Sequence, residues 1–158
     1  MQTTLTLNFT APCDRVAAML VDPEFAQYVG ETLNAENVTV TSIPHGLTAV
    51  ITVATPENAG KIFGHQMTIT ETVTWEDPPL DGPRKGRMTM SMSGLPASIA
   101  GPISLSPVPG GSTIVYIADF TVRIPLIGRK MEKMAEQYLT QIIQVCEKFG
   151  NQWLAEHQ

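Results

Sequence analysis

The chain has 158 residues, 43% of them hydrophobic and 16% charged, with a formal net charge of −5. That length and balance predict one domain, 1–158, with a real core, and the acidic excess argues against a nucleic-acid footprint, which needs a basic face. No apolar run reaches the ~20 residues of a membrane helix, and the first residues, Met1 to Thr6, lack the basic and apolar regions of a signal peptide, so a cytoplasmic protein is expected.

Along the chain, Leu5, Leu7 and Phe9 alternate with Thr4, Thr6 and Asn8, the period-two signal of a half-buried strand. Pro12 opens the next element, with Thr10 or Ala11 in the cap position, and Val16, Met19 and Leu20 keep helical spacing. Asp22-Pro23 is a cap followed by a first-turn proline, and it starts a second short helix that carries Phe25, Tyr28 and Val29 and ends near Gly30.

From Asn37 to Pro107 strands and turns are expected. Val38 and Val40 mark one strand, and Leu47, Ala49, Ile51 and Val53 mark the next, joined through Pro44-His45-Gly46. After the Pro56 to Gly64 loop, Met67, Ile69, Glu71, Val73 and Trp75 share a face opposite Thr68, Thr70, Thr72 and Thr74. Asp77 to Gly86 is rich in proline and glycine and reads as a turn region. Met88, Met90 and Met92 alternate with small polar residues, Ile103 and Leu105 mark a further strand, and Pro109-Gly110-Gly111 turns into the last one. Six or seven strands on short connections imply an antiparallel sheet.

The last strand carries Ile114, Tyr116, Ala118, Phe120 and Val122 on one face and stops at Ile124-Pro125, where proline removes a ladder donor. Residues 128–155 then read as one helix. Its apolar arc runs from Met131 and Met134 through Tyr138, Ile142, Val145, Cys146 and Phe149 to Trp153 and Leu154, and covers about half the circumference. So broad a face requires a curved partner, which the strands supply.

This order is that of the helix-grip fold: an α+β domain whose curved antiparallel sheet wraps a long C-terminal helix, with two short helices after the first strand. The local wording agrees. Ala11-Pro12 with Arg15-Val16, followed by Asp22-Pro23-Glu24, resembles the first-helix region of the START-like superfamily, which includes polyketide cyclases, lipid-transfer domains and plant pollen-allergen proteins. Val122, Ile124-Pro125-Leu126-Ile127-Gly128, Lys130 and Glu132, with Trp153-Leu154 near the end, resemble an uncharacterised, largely actinobacterial branch of it. The resemblance implies an apolar pocket between sheet and helix. It does not choose among carriers, cyclases and interaction domains.

Glu71 is the one acid candidate for catalysis. It shares a face with Ile69 and Val73, where burial would raise its pKa as a general acid or base needs; the alternative is a twisted or bulged strand that turns it to solvent or to a basic partner. Met88, Met90 and Met92 offer a soft wall suited to irregular ligands, or an ordinary core. The expected ligand-binding residues are these three methionines with Tyr116, Phe120, Met134, Tyr138 and Ile142, joined by Trp75. The expected ligand is a small apolar molecule, lipid- or polyketide-like.

Cys13 lies near a helix start, which can lower a thiol pKa, but no base accompanies it; Cys146 reads as buried packing. The cysteines and His45, His65 and His157 have no metal-ligand spacing, so no metal or other cofactor is expected. Arg84-Lys85-Arg87 and Arg129-Lys130-Lys133 read as solvated surface, with an anion site as the alternative. Nucleophile-elbow, dinucleotide and Walker patterns are absent from the sequence, which favours a non-enzymatic binding module over a cyclase or dehydratase acting through Glu71; an interaction domain without a used cavity is the further alternative, and the alternating strands give no sign of the continuous apolar patch it would need.

Overall fold

The structure, a computed structural model, describes residues 1–55, 65–76, 83–93 and 97–157, with the side chains at 134, 135, 137–139, 141 and 142 outside that description. The alternating stretches become β1 (Gln2–Phe9), β2 (Asn37–Ile43), β3 (Gly46–Ala54), β4 (Gln66–Trp75), β5 (Arg84–Met92), β6 (Ala97–Val108) and β7 (Gly111–Val122). They form one curved antiparallel sheet in the order β1-β7-β6-β5-β4-β3-β2. From β2 onward each strand pairs with its successor, while β1 crosses over to pair with β7, Leu5 opposite Tyr116 and Leu7 opposite Ile114.

Curvature has a local cause in β6. Its pairing with β7 is interrupted between Ala100 and Ile103, at Gly101-Pro102. Proline brings no ladder donor, and a Cβ at Gly101 would stand 1.8 Å from the Ile117 carbonyl oxygen, so only glycine lets β7 approach so closely at the bend. Alternation then sorts the faces. Ile114, Tyr116, Ala118, Phe120 and Val122 are all buried in the concave core, as are Ile103, Leu105, Val73 and Trp75. The convex face is threaded with threonine, and Thr48 and Thr72 hydroxyls lie 3.0 Å apart while Thr52 and Thr68 lie 3.2 Å apart.

Two short helices follow β1: α1 (Cys13–Leu20) and α2 (Pro23–Thr32). The cap of α1 is Pro12 itself, not Thr10 or Ala11. With no side chain able to cap, it contributes its carbonyl, which accepts from Arg15 N at 3.1 Å and Val16 N at 3.2 Å. Asp22 caps α2 as its sequence predicts, accepting from Glu24 N at 2.9 Å. That helix runs through Gly30 to Thr32; a helical glycine costs about 1 kcal/mol, and this one is buried. Ala26 of α2 forms a small second core with Leu47 and Ala49 of β3.

The C-terminal helix α3 (Gly128–Glu156) is continuous over 29 residues, about 43 Å long. It packs against β1, β7 and α1, and its side chains meet the C-terminal end of the free edge of β1. Asn8 N donates to Glu147 Oε2 at 3.0 Å, Thr10 N donates to Asn151 Oδ1 at 2.9 Å, and Asn151 Nδ2 returns a bond to Asn8 O at 3.0 Å. An edge strand left bare would be a pairing hazard; here its C-terminal end is occupied.

The far end of α3 is equally fixed. Trp153 lies 5.6 Å from Phe25 and 5.5 Å from Tyr28, centroid to centroid, and His157 stacks on it at 3.6 Å. Arg15 Nη2 donates to Leu154 O and His157 O, each at 3.0 Å, satisfying carbonyls the helix leaves open. The apolar arc is not buried evenly, however. Gly150, Trp153 and Leu154 are buried, Phe149 is half-buried, and Val145 and Cys146 are exposed. Cys146 is therefore not buried packing. No described helix is long and apolar enough to cross a membrane.

Candidate functional site

Parity in β4 decides where Glu71 goes. It falls on the face of Val73 and Trp75, and the pairing stays regular through it, Thr70 with Val50, Glu71 with Ala49 and Thr72 with Thr48. There is no bulge to turn it outward. The ladder continues laterally, so that Val40, Ala49, Glu71, Met90, Ile99 and Phe120 form one row across six strands. Glu71 is the single ionisable group in a row of apolar side chains. It is half-buried, and among the described residues no ion pair or hydrogen bond to its carboxylate is found. Burial pushes its pKa above the ordinary 4.5, because a desolvated carboxyl favours the neutral form.

Tyr116 enters from β7. Its hydroxyl donates to Met88 O at 3.1 Å, so the phenol reaches over β6 to β5, where Met88 is two residues from Met90, the partner of Glu71. Burial first and then the Glu71 charge push its pKa to about 12, with Arg87 acting the other way. The pKa of Cys146 on α3 is raised to about 11, again by burial first and then by Glu71. Both groups feel the Glu71 charge, and the Tyr116 hydroxyl approaches it along β5. Cys146 keeps exposed surface although the surrounding protein desolvates its thiol.

The other expected residues divide. Met88, Met90 and Met92 are half-buried and packed against the main core; Met90 sits between Glu71 and Ile99, and Met92 opposite Ile69. Phe120 closes the Glu71 row and is buried. Trp75 is buried at some remove, where its Nε1 donates to Ala17 O at 3.2 Å and ties β4 to α1. The side chains of Met134, Tyr138 and Ile142 lie outside the described residues. Cys146 was missed as a site residue because helical periodicity gives the side a residue faces and not whether that side meets a packed sheet or a space.

Cys13 is buried, and its pKa is raised by burial first and then by Asp14, with Arg84 opposing. It is not an activated thiol. Arg84 is committed elsewhere, its Nη2 donating to Asp14 Oδ1 at 2.5 Å. Two surface hollows are described, one of about 400 Å³ lined by Thr10, Ala11, Cys13, Asp14 and Gly111 among others. The second, of about 450 Å³, lies at the β7–α3 corner beside Leu126 and Arg129. Neither contains the Glu71 row.

Solved structures share this architecture. The TTHA0849 protein of Thermus thermophilus superposes with a TM-score of 0.68 at 15% identity over 100% of both chains. Norcoclaurine synthase from Thalictrum flavum, solved with dopamine and hydroxybenzaldehyde, gives 0.62 at 16% identity, covering 100% of this chain and 88% of the other. A START superfamily protein from Mycobacterium smegmatis gives 0.59 at 12%, covering 96% and 98%. At such identities these likenesses establish the helix-grip fold alone.

In sequence, an uncharacterised protein of Mycobacterium tuberculosis H37Rv is 28% identical over 93 residues, 58% of this chain and 53% of the relative. A protein of Mycobacterium bovis matches with the same figures. The match thus spans about half the length of these curated relatives. One family model, described as a protein of unknown function (DUF2505), matches residues 4–154, and the chain belongs to that family.

Proposed function

We propose that the chain binds a small, largely apolar molecule between the concave face of the sheet and α3, with Glu71 as the polar anchor at one side of the ligand. The observation that carries this reading is Glu71, half-buried in a row of apolar side chains and without a hydrogen bond or ion pair among the described residues. A packed core would have no use for a lone acid in an apolar row, since burying one without a partner is costly. An apolar site with few polar groups is the usual make-up of small-molecule pockets. Met88, Met90 and Met92 supply deformable walls, and Tyr116 and Phe120 the floor. The dopamine and hydroxybenzaldehyde held by norcoclaurine synthase, a protein of the same fold, support a ligand-binding use of this architecture.

Titration with an apolar fluorescent dye tests the proposal. Wild-type protein should bind the dye, and Met90→Trp, which fills space beside Glu71, should weaken binding roughly tenfold. Glu71→Gln should leave binding of an apolar dye nearly intact. Dye that fails to bind, or that binds Met90→Trp equally well, overturns the reading and leaves an interaction domain with a filled core.

A second reading, an acid–base enzyme of the cyclase or dehydratase type, is favoured by one observation. The Tyr116 hydroxyl donates to Met88 O, two residues from the cross-strand partner of Glu71, so a substrate oxygen between the two groups would accept a proton from the Glu71 carboxyl, whose pKa burial raises. Under that reading Glu71→Gln abolishes turnover while dye binding persists.

A further inference from the structure

Leu126 is fully exposed, at 105% of its reference surface, and Ile127 is 48% exposed. Leu126 also sits at φ 71, a left-handed conformation in which a bulky L side chain crowds its own backbone. The corner is nonetheless firmly held. Gly128 N donates to Ile124 O at 2.9 Å, and Met131 N donates to Ile127 O at 3.0 Å. Ile124 packs against the core, and Glu132 Oε1 accepts from Val122 N at 3.1 Å, so both flanks are anchored. Two adjacent apolar side chains are thus presented outward on a strained, well-tied turn.

The charge around them is one-sided. Arg123, Arg129, Lys130 and Lys133 lie on or beside the corner, and Arg129, Lys130 and Lys133 are exposed. The acids at this end are largely engaged: the Met1 amine lies 3.6 Å from Glu132 Oε2 and 3.6 Å from Asp119 Oδ1. Glu136, one turn further along α3, is the exposed acid that remains. In a chain of net charge −5, cations gather around the apolar tip. Apolar in the middle and cationic at the rim, the corner complements a surface that is apolar beneath an anionic layer of headgroups.

We infer that the β7–α3 corner, residues 123–133, is a peripheral docking site for an anionic lipid surface. Leu126 and Ile127 enter the boundary between headgroups and acyl chains, and the arginines and lysines meet the lipid phosphates. This surface is independent of the ligand reading, since vesicle binding is measured without any ligand.

Flotation of the full chain with two kinds of vesicle tests it, one of phosphatidylcholine alone and one containing phosphatidylserine. Wild-type protein should float with the anionic vesicles only, and added salt should release it, because screening shortens the attraction from its physiological reach of about 8 Å. Leu126→Ser with Ile127→Ser should reduce binding roughly tenfold, and Arg129→Gln with Lys130→Gln should do the same. All four positions lie at the surface, and unchanged circular dichroism and Tm would show that both variants fold. Wild-type protein that stays off anionic vesicles overturns the inference, as does binding that neither pair of substitutions weakens. A dimer that forms through Leu126 and Ile127 without vesicle binding would assign the corner to a second copy and overturn it equally. Vesicle binding lost on charge removal but untouched by the serine pair would mean adsorption to headgroups alone, and would overturn the insertion of Leu126 and Ile127.

Discussion

Glu71 is an acid with no countercharge within reach among the described residues, so the folded chain holds its proton to higher pH than the unfolded chain does. Burial raises its pKa above the ordinary 4.5. A group raised in this way contributes stability that is complete below the unfolded value and is lost as pH rises through the folded one. Glu71→Gln keeps the shape and cannot ionise. Its Tm should match wild type near about pH 4 and exceed it by a growing margin as pH rises through the folded pKa of Glu71. Tyr116 and Cys146, raised to about 12 and about 11, are present in both proteins, so the difference between the two curves reports Glu71. Thermal denaturation of both proteins across pH is the check, and curves separated by a constant gap would mean that water reaches the carboxylate freely. Leu126 is the complementary case at this scale, with strain in the backbone in place of strain in a charge. Leu126→Gly removes the αL crowding, about 1–2 kcal/mol, against an entropic cost of about 0.5–1 kcal/mol for glycine. Its Tm should therefore equal or slightly exceed that of wild type; a clear fall in Tm would show that the exposed side chain contributes packing after all.

At the scale of the element, α3 is positioned by how closely it lies on β1. A Cβ at Gly150 would come within 2.5 Å of Phe9 Cε1 and 3.2 Å of Met19 Cε, and Phe9 is buried. Alanine is the better helix former by about 1 kcal/mol, yet overpacking a core contact costs about 1–3 kcal/mol. The second effect should win, so Gly150→Ala should lose on the order of 1 kcal/mol in urea denaturation, while Gln144→Ala on the exposed face stays within about 0.5 kcal/mol. Equal midpoints for wild type and Gly150→Ala would mean that helix and strand are less tightly seated. The strands from Leu5 to Val122 were legible because period two maps directly onto two faces: every expected inward residue of β7 is buried. The length of α3 was legible for the same reason at period 3.6. The first half of β6, from Ala97 to Pro102, was not, since its serine, alanine, glycine and proline carry no clear period and only Ile103 and Leu105 marked the strand. Pairing with β5 and β7 gives it strand geometry that local preference does not. Arg84 to Gly86, read as turn, joins β5 in the same way.

Across the whole molecule, the fold could be read from the sequence because it depends on many residues agreeing, whereas the site depends on what two elements leave between them. Parity in β4 placed Glu71 on the concave face; nothing in the pattern of α3 said that Cys146 would keep exposed surface. That residue offers a direct test of the space. Its thiol, raised from the ordinary 9.0 to about 11, should hold roughly a hundredfold less thiolate at neutral pH than a free cysteine does. In a Cys13→Ser background, which leaves Cys146 as the only thiol, alkylation by a small reagent should be slow near neutrality and accelerate with pH toward about 11. An apolar dye occupying the site should slow it further, because dye and reagent would compete for the same concavity. A bulky reagent should react disproportionately less than a small one. Mass spectrometry of the alkylated protein over time gives each rate. If Cys146 reacts as fast as a free thiol, it faces open solvent and not a concavity. If the dye binds and leaves the rate untouched, the ligand sits elsewhere, and the region bounded by Glu71, Tyr116 and Cys146 is not its site.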